Sequence, residues 1–363
     1  MGEHSWYTIY AAVLTTPRPA RDSTEASLEF AAFGCALDAL DSPERVAMKL
    51  AYLGAVETGL VTGDVPLDPY DLIIETLTLT GRVRAAGKVQ VPSWLTPRPR
   101  LEDGPLIDPA SYRDFAEAGG LERVSSEVAA FTKERVLPDR PILISADHST
   151  TGGVLDAVRE SRDLALIILD AHLDAISAET RRLAAGSGGD PLLDAYDCGT
   201  WLMKVIERGV ISPDRLVVLG VSDHPGGAPK EDEPRGMAAY REAYLAIERE
   251  GASIVTKGRL RDEGAPALEA ALKPLEGLDY YVSIDADVAA GPSVKAVRFM
   301  DTIGLEPGEL LDCASAISRV LGTQRLSGMD ISEVDVHLAD IPGGDDRTIE
   351  VMARAALELI GAA

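Results

Sequence analysis

Cysteine is scarce in this 363-residue chain, with three in all (Cys35, Cys198 and Cys313). They are too few and too scattered for a disulfide framework or a thiolate-type zinc site, and they point to a reducing compartment. Aromatic residues make up only 5%, and 35 basic residues face 59 acidic ones, for a formal net charge of −24. A surface of that sign repels polyphosphate, and no Lys/Arg cluster is interleaved with aromatics, so nucleic acid is excluded as a partner. No uncharged apolar run reaches the roughly 18 residues a membrane span needs, so no membrane partner is expected either. The opening MGEHSWYTIY lacks a basic region followed by an apolar one and does not read as a signal peptide. The expected location is cytoplasmic.

What the chain does have is a hydrophobic share of 46%, well above that of disordered sequences. From about Arg140 onward, short apolar runs alternate with segments of helical period. The runs are Pro141 to Ser145, Leu164 to Leu169, Leu216 to Leu219, Ser253 to Val255, Tyr280 to Ile284 and Leu326 to Ile331. Helices are expected over 152–160, 199–209, 236–250, 265–273, 307–321 and 346–360. Such alternation means βαβ crossovers and a parallel sheet covered on both faces. Before Arg140, Phe30 to Phe33 reads as a first strand and Ser42 as the cap of a helix. The stretch 63–110 is rich in proline and reads largely as loop.

Three strand ends carry side chains that bind metals. They are Ser145-Ala-Asp147-His148-Ser149, Asp170-Ala-His172-Leu-Asp174 and Ser283-Ile-Asp285-Ala-Asp287. In extended chain, residues i, i+2 and i+4 share a side, so Asp170, His172 and Asp174 are expected to converge, as are Asp285 and Asp287. Ligands of open α/β sheets bind at the carboxyl ends of strands. Any one of these clusters alone is commonly a turn or a cap. Yet two of only five histidines fall in them, and four carboxylates buried together without cations would be very costly. The set His148, Asp170, His172, Asp174, Asp285 and Asp287 is rich in oxygen donors with two imidazoles. It suits two divalent ions, Mn²⁺ first and Ni²⁺, Co²⁺ or Zn²⁺ as alternatives.

In this order the motifs resemble the ureohydrolases: arginase, agmatinase, guanidinobutyrase and formiminoglutamase. Two further segments add to the resemblance. One is Ser327-Gly-Met-Asp330-Ile-Ser-Glu333-Val334, and the other runs from Tyr196 through Cys198 to Val210, similar to the agmatinase branch. The resemblance covers about 105–363 well and 26–62 faintly. It implies a three-layer α/β/α sandwich with a mainly parallel sheet, read as one catalytic domain over 1–363, with an amino-terminal extension (1–25) and a proline-rich insertion at about 63–104. It implies that His148 binds one metal and His172 the other, that Asp170 and Asp285 bridge, that Asp174 completes the first site and Asp287 the second. It also implies that Asp174 hydrogen-bonds the attacking water and that Glu333 holds the guanidinium of a small guanidino substrate. The products would be urea and an amine. A homo-oligomer, trimer or hexamer, is expected on the same ground.

Four departures fall on the substrate side. Ser145-Ala146 stands where the family has two glycines, and Cys198 stands where it has a proton-shuttling histidine. The Pro-Gly-Thr loop after Asp287 is missing, and Gly220-Val-Ser-Asp223-His224-Pro225 replaces an arginase-like Gly-Leu-Arg-Asp. Cys198 reads as a nucleophile, a proton donor or a small wall residue, and His224 as a replacement shuttle or a surface histidine. His337 is expected near the rim, and Lys295 and Arg298 are either contacts for a substrate carboxylate or solvated. Two other readings stay open: a metal-binding relative without catalysis, and an amidino-transfer enzyme that depends on Cys198.

Overall fold

The computed structural model describes residues 29–62, 65–159, 164–185, 195–226, 234–300, 303–339 and 344–362. The expected extension at 1–25 lies outside these residues.

The apolar runs become eight strands of one sheet. They are β1 (Phe30–Cys35), β2 (Val83–Val89), β3 (Arg140–Ser145), β4 (Leu164–Leu169), β5 (Leu216–Val221), β6 (Ser253–Thr256), β7 (Asp279–Asp285) and β8 (Leu326–Ser332). Their order is β2-β1-β3-β8-β7-β4-β5-β6, and every pairing is parallel. Alternation along a strand divides the core between two faces. On β4, Ala165, Ile167 and Leu169 pack with the helices Pro69–Thr78, Ala265–Leu272, Pro307–Leu321 and Thr348–Ile360. Leu164, Leu166 and Ile168 pack on the other side with Pro109–Glu117, Gly120–Phe131, Trp201–Glu207 and Arg235–Arg249. The result is the expected α/β/α sandwich. No helix among the described residues is long and apolar enough to cross a membrane.

The proline-rich stretch is more ordered than its composition implies. It holds the helix Pro69–Thr78 and the edge strand β2, which pairs with β1 from Phe30↔Val83 to Cys35↔Val89. Proline here opens a helix rather than breaking one. Asp68 accepts from the Asp71 N–H, and Pro69 follows at a position whose N–H would have no partner in any case. Asp108-Pro109 repeats the device for the helix Pro109–Glu117, with Asp108 accepting from Ala110 N (2.8 Å) and Ser111 N (3.1 Å).

Register fixes where chemistry is placed. Ile144 pairs with Ile331, Asp285 with Ser332, and Leu169 with Ile284. The carboxyl ends of the four central strands β3, β8, β7 and β4 therefore lie level and side by side. Behind the β3 end, the helix Thr151–Arg159 approaches Gly120–Phe131 closely, because a Cβ on Gly153 would stand 2.2 Å from the Ser125 carbonyl oxygen. A backbone atom cannot step aside as a side-chain tip can. Gly153→Ala is expected to lose roughly 1–3 kcal/mol by overpacking, read as a lower urea midpoint at unchanged m-value.

Candidate metal centre

The six expected ligands meet at the carboxyl ends of the central strands, in two groups that share Asp170. His148, Asp170, Asp174 and Asp285 form one, and Asp170, His172 and Asp287 the other, with the donor atoms of each group within 4.8 Å of one another. His148 Nδ1 lies 2.9 Å from Asp174 Oδ2, 3.0 Å from Asp285 Oδ2 and 3.4 Å from Asp170 Oδ2. His172 Nδ1 lies 2.9 Å from Asp287 Oδ2 and 3.7 Å from Asp170 Oδ1.

Strand alternation alone does not produce this arrangement. β4 ends at Leu169, so Asp170, His172 and Asp174 lie beyond it, and Asp174 turns inward through a left-handed backbone at φ 54°. Asp170 and Asp174 join His148, whereas His172 faces Asp287. Asp285 and Asp287 also part company. Asp287 sits in the turn Ala286–Ala289, its N–H donating to Asp285 Oδ1 at 2.9 Å. Asp170 is thus the ligand common to both groups, while Asp285 falls in the first only.

The donors fit divalent cations. His148 Nδ1 and Asp170 Oδ2 are buried with no hydrogen-bond partner, a costly state for polar atoms unless a cation lies between them. The tautomer is set from behind. Ser283 Oγ donates to Asp330 Oδ1 at 2.7 Å and so accepts from His148 Nε2 at 2.8 Å, which keeps the lone pair at Nδ1. Trp201 Nε1 likewise donates to Asp174 Oδ2 at 3.1 Å. Without cations the cluster holds protons instead. Burial and the Asp174, Asp285 and Asp287 charges push Asp170 well above the carboxylate range. Burial opposes the charged form of His172, but Asp287 and Asp170 outweigh it and push the imidazole up to about 12.

Access is one-sided. His148 and Asp170 are buried, while the side chains of Asp174 and His172 keep 12% and 21% exposure, so a small molecule reaches the cluster past these two.

The remaining candidates lie differently from expectation. Arg298 is neither solvated nor open to a substrate. It is fully buried, with Nη1 donating to Asp147 Oδ2 (3.0 Å) and Glu333 Oε2 (3.3 Å), and Nη2 to Asp41 Oδ2 (2.9 Å) and the Ala39 carbonyl (3.3 Å). Glu333, at φ 58°, also accepts from the His148 N–H at 2.7 Å and is itself buried. Lys295 stays at the surface on Asp345. Cys198 is partly exposed, and burial followed by the Glu333, Asp147 and Asp41 charges raises its thiol well above the usual range, which disfavours a nucleophilic thiolate. His224 turns to the helix Arg235–Arg249, its ring 4.8 Å from that of Tyr244 and its Nε2 3.8 Å from Glu248. No described contact joins it to the ligands. His337 holds the Pro97 carbonyl at 2.8 Å. Sequence reasoning passed over Asp38 and Asp41, although they follow β1 at the same sheet edge that pointed to the ligands.

A sequence model of the arginase family matches residues 74–361. The chain belongs to the arginase family. Solved structures agree in fold. Arginase from Bacillus subtilis superposes with a TM-score of 0.57 at 17% identity, covering 92% of this chain and 98% of that one. Proclavaminate amidino hydrolase from Streptomyces clavuligerus gives 0.53 at 20% identity, covering 94% and 95%. Formiminoglutamase from Trypanosoma cruzi with Mn²⁺ gives 0.55 at 17%, covering 92% and 93%. No curated relative matches in sequence. All six candidate ligands are present in the two groups, while Cys198, Arg298 and His224 lie outside them.

Proposed function

We propose that the protein is a binuclear, manganese-type hydrolase of a linear amidino C–N bond, agmatinase-like in its motifs. The observation that carries this reading is the pair of ligand groups sharing Asp170, with His148 Nδ1 and Asp170 Oδ2 left without hydrogen-bond partners. His148, Asp170, Asp174 and Asp285 would hold one ion, and Asp170, His172 and Asp287 the other. Bound there, two divalent ions would supply a low-pKa water and polarise the bond to be cleaved. The chain's own groups then position the reactants. With Oδ2 of Asp174 accepting from Trp201 and facing His148 Nδ1, its other carboxylate oxygen would orient water at the exposed side of the cluster. The Ser283–Asp330 pair holds the imidazole of His148 still, and the buried remainder limits entry of solvent from the sheet side.

The test joins metal and turnover. Protein stripped with chelator and reloaded with Mn²⁺ should carry close to two ions per chain by elemental analysis. It should unfold at higher temperature, since binding to the native state alone at 100 times Kd is worth about 2.7 kcal/mol. Loading should also release protons, because Asp287 and Asp170 raise the affinity of the His172 imidazole for a proton, so metal affinity should tighten as pH rises. Reloaded enzyme should release urea or ammonia from a panel of guanidino, formimino and ureido compounds, and stripped enzyme should not. Two bound ions with no turnover on any compound would favour the non-catalytic reading. Full loss of turnover in Cys198→Ala at intact metal content would favour the transfer reading.

A further inference from the structure

A cationic substrate needs an unengaged carboxylate beside the reacting centre, and the described carboxylates around this cluster are engaged. Asp223, whose backbone N–H reaches the Ala171 carbonyl, accepts from the hydroxyls of both Tyr240 and Tyr244. Asp197, next to Cys198, accepts both arms of Arg181 at 2.6 Å each. Asp147 and Glu333, which flank His148, share Nη1 of Arg298. Asp41 takes Nη2, and Asp38 lies 3.3 Å from Nε and 3.2 Å from Lys49 Nζ. The recess most suited to a guanidinium therefore already contains one, supplied by the chain. It is held from all sides, with the side chain of Arg298 0% exposed. Its backbone is fixed as well, the Arg298 N–H donating to the Glu333 carbonyl at 3.0 Å.

We propose that Arg298 is a specificity-determining residue of this site: its guanidinium fills the acidic recess beside the metal cluster, so the enzyme excludes guanidinium cations and selects substrates whose trigonal carbon carries no positive charge, of the ureido or carboxamide type. This rests on the metal-dependent C–N hydrolase reading and goes beyond it by replacing the amidino substrate with an uncharged one. Hydrolysis of such a group forms the bond from carbon to the oxygen of water and breaks the C–N bond, the departing nitrogen taking the proton of that water. The uncharged group needs no ion-pair partner. The buried Asp147 and Glu333, already neutralised in place, do not have to be stripped of Arg298 each time substrate enters.

The experiment uses metal-loaded enzyme and two readouts. In a thermal-shift titration with guanidinium chloride against matched sodium chloride, the native protein should show no saturable stabilisation at millimolar concentration. Arg298→Ala, which opens a recess shaped for that ion, should show it, with at least tenfold tighter binding. Arg298→Lys keeps a cation but not the planar fork and serves if the alanine variant fails to fold. It should gain guanidinium binding to a smaller degree. In the second readout, native kcat/KM for uncharged ureido compounds should exceed that for arginine and agmatine at least tenfold, and the ratio should fall at least tenfold in the variants. Native turnover of arginine or agmatine above that of every uncharged compound would overturn the proposal, as would folded variants with no gain in guanidinium binding. A chain that hydrolyses nothing defeats the hydrolase reading instead, and the binding titration still reports on Arg298.

Discussion

Asp170→Asn is expected to empty both halves of the metal centre at once. Asp170 is the ligand common to the two groups, and it lies fully buried where β4 ends. Its Oδ1 also accepts from the His172 N–H at 2.6 Å, so the same carboxylate shapes the turn that carries the second imidazole. Asparagine preserves the volume and one carbonyl oxygen but removes the charge, leaving an amide N–H₂ where a cation should be. Elemental analysis should fall from about two ions per chain toward none, and turnover should drop by at least about three orders of magnitude, since activation of water depends on both ions. His172→Asn, which touches one group only, should retain about one ion. The contrast separates a shared ligand from two independent sites. Equal metal content in the two variants would refute the sharing.

How much of this was legible in the sequence depends on the range of the interaction. The strands were readable because buried parallel strands are near-continuous apolar runs, and Leu164–Leu169 is buried throughout. The convergence of the six candidate ligands was readable because they follow such strands. The grouping was not, since the assignment of Asp170, His172 and Asp174 depends on the left-handed turn at Asp174 and on which neighbour stands across the sheet. A strand's neighbours are set by the order β3-β8-β7-β4, which no local pattern encodes. Arg298 was misjudged for a related reason. It lies in a loop after β7, and its partners Asp38, Ala39, Asp41, Asp147 and Glu333 come from three other segments. A basic residue in a loop is ordinarily solvated, and only the assembled sheet edge shows four carboxylates waiting for it. The helix Pro69–Thr78 was missed because proline was read as a breaker, whereas Asp68-Pro69 is a start signal.

Glu333→Ala should be the most destabilising single change at the site, and backbone strain offers a way to dissect it. The carboxylate joins three elements. It accepts from the His148 N–H, it receives Nη1 of Arg298, and its own carbonyl accepts from the Arg298 N–H. Truncation leaves the buried guanidinium short of one partner, which costs about 3–5 kcal/mol for a buried pair, and it leaves a buried N–H unpaired, at roughly 1–3 kcal/mol. The two losses overlap, so a fall of about 4–6 kcal/mol is expected. Residue 333 also holds φ at 58°, a region that alanine tolerates no better than glutamate and glycine accepts freely. Glu333→Gly should therefore be more stable than Glu333→Ala by about 1 kcal/mol, although it removes one more carbon from a buried site. Glu333→Gln, which keeps an acceptor for both donors, should lie between these variants and the native protein. Because Glu333 fixes the backbone of His148 without contributing a ligand atom to either group, metal stoichiometry should stay near two in Glu333→Gln while affinity weakens. If denaturant titrations place alanine above glycine, the left-handed strain at residue 333 is not what separates them, and the side-chain contacts carry the whole effect.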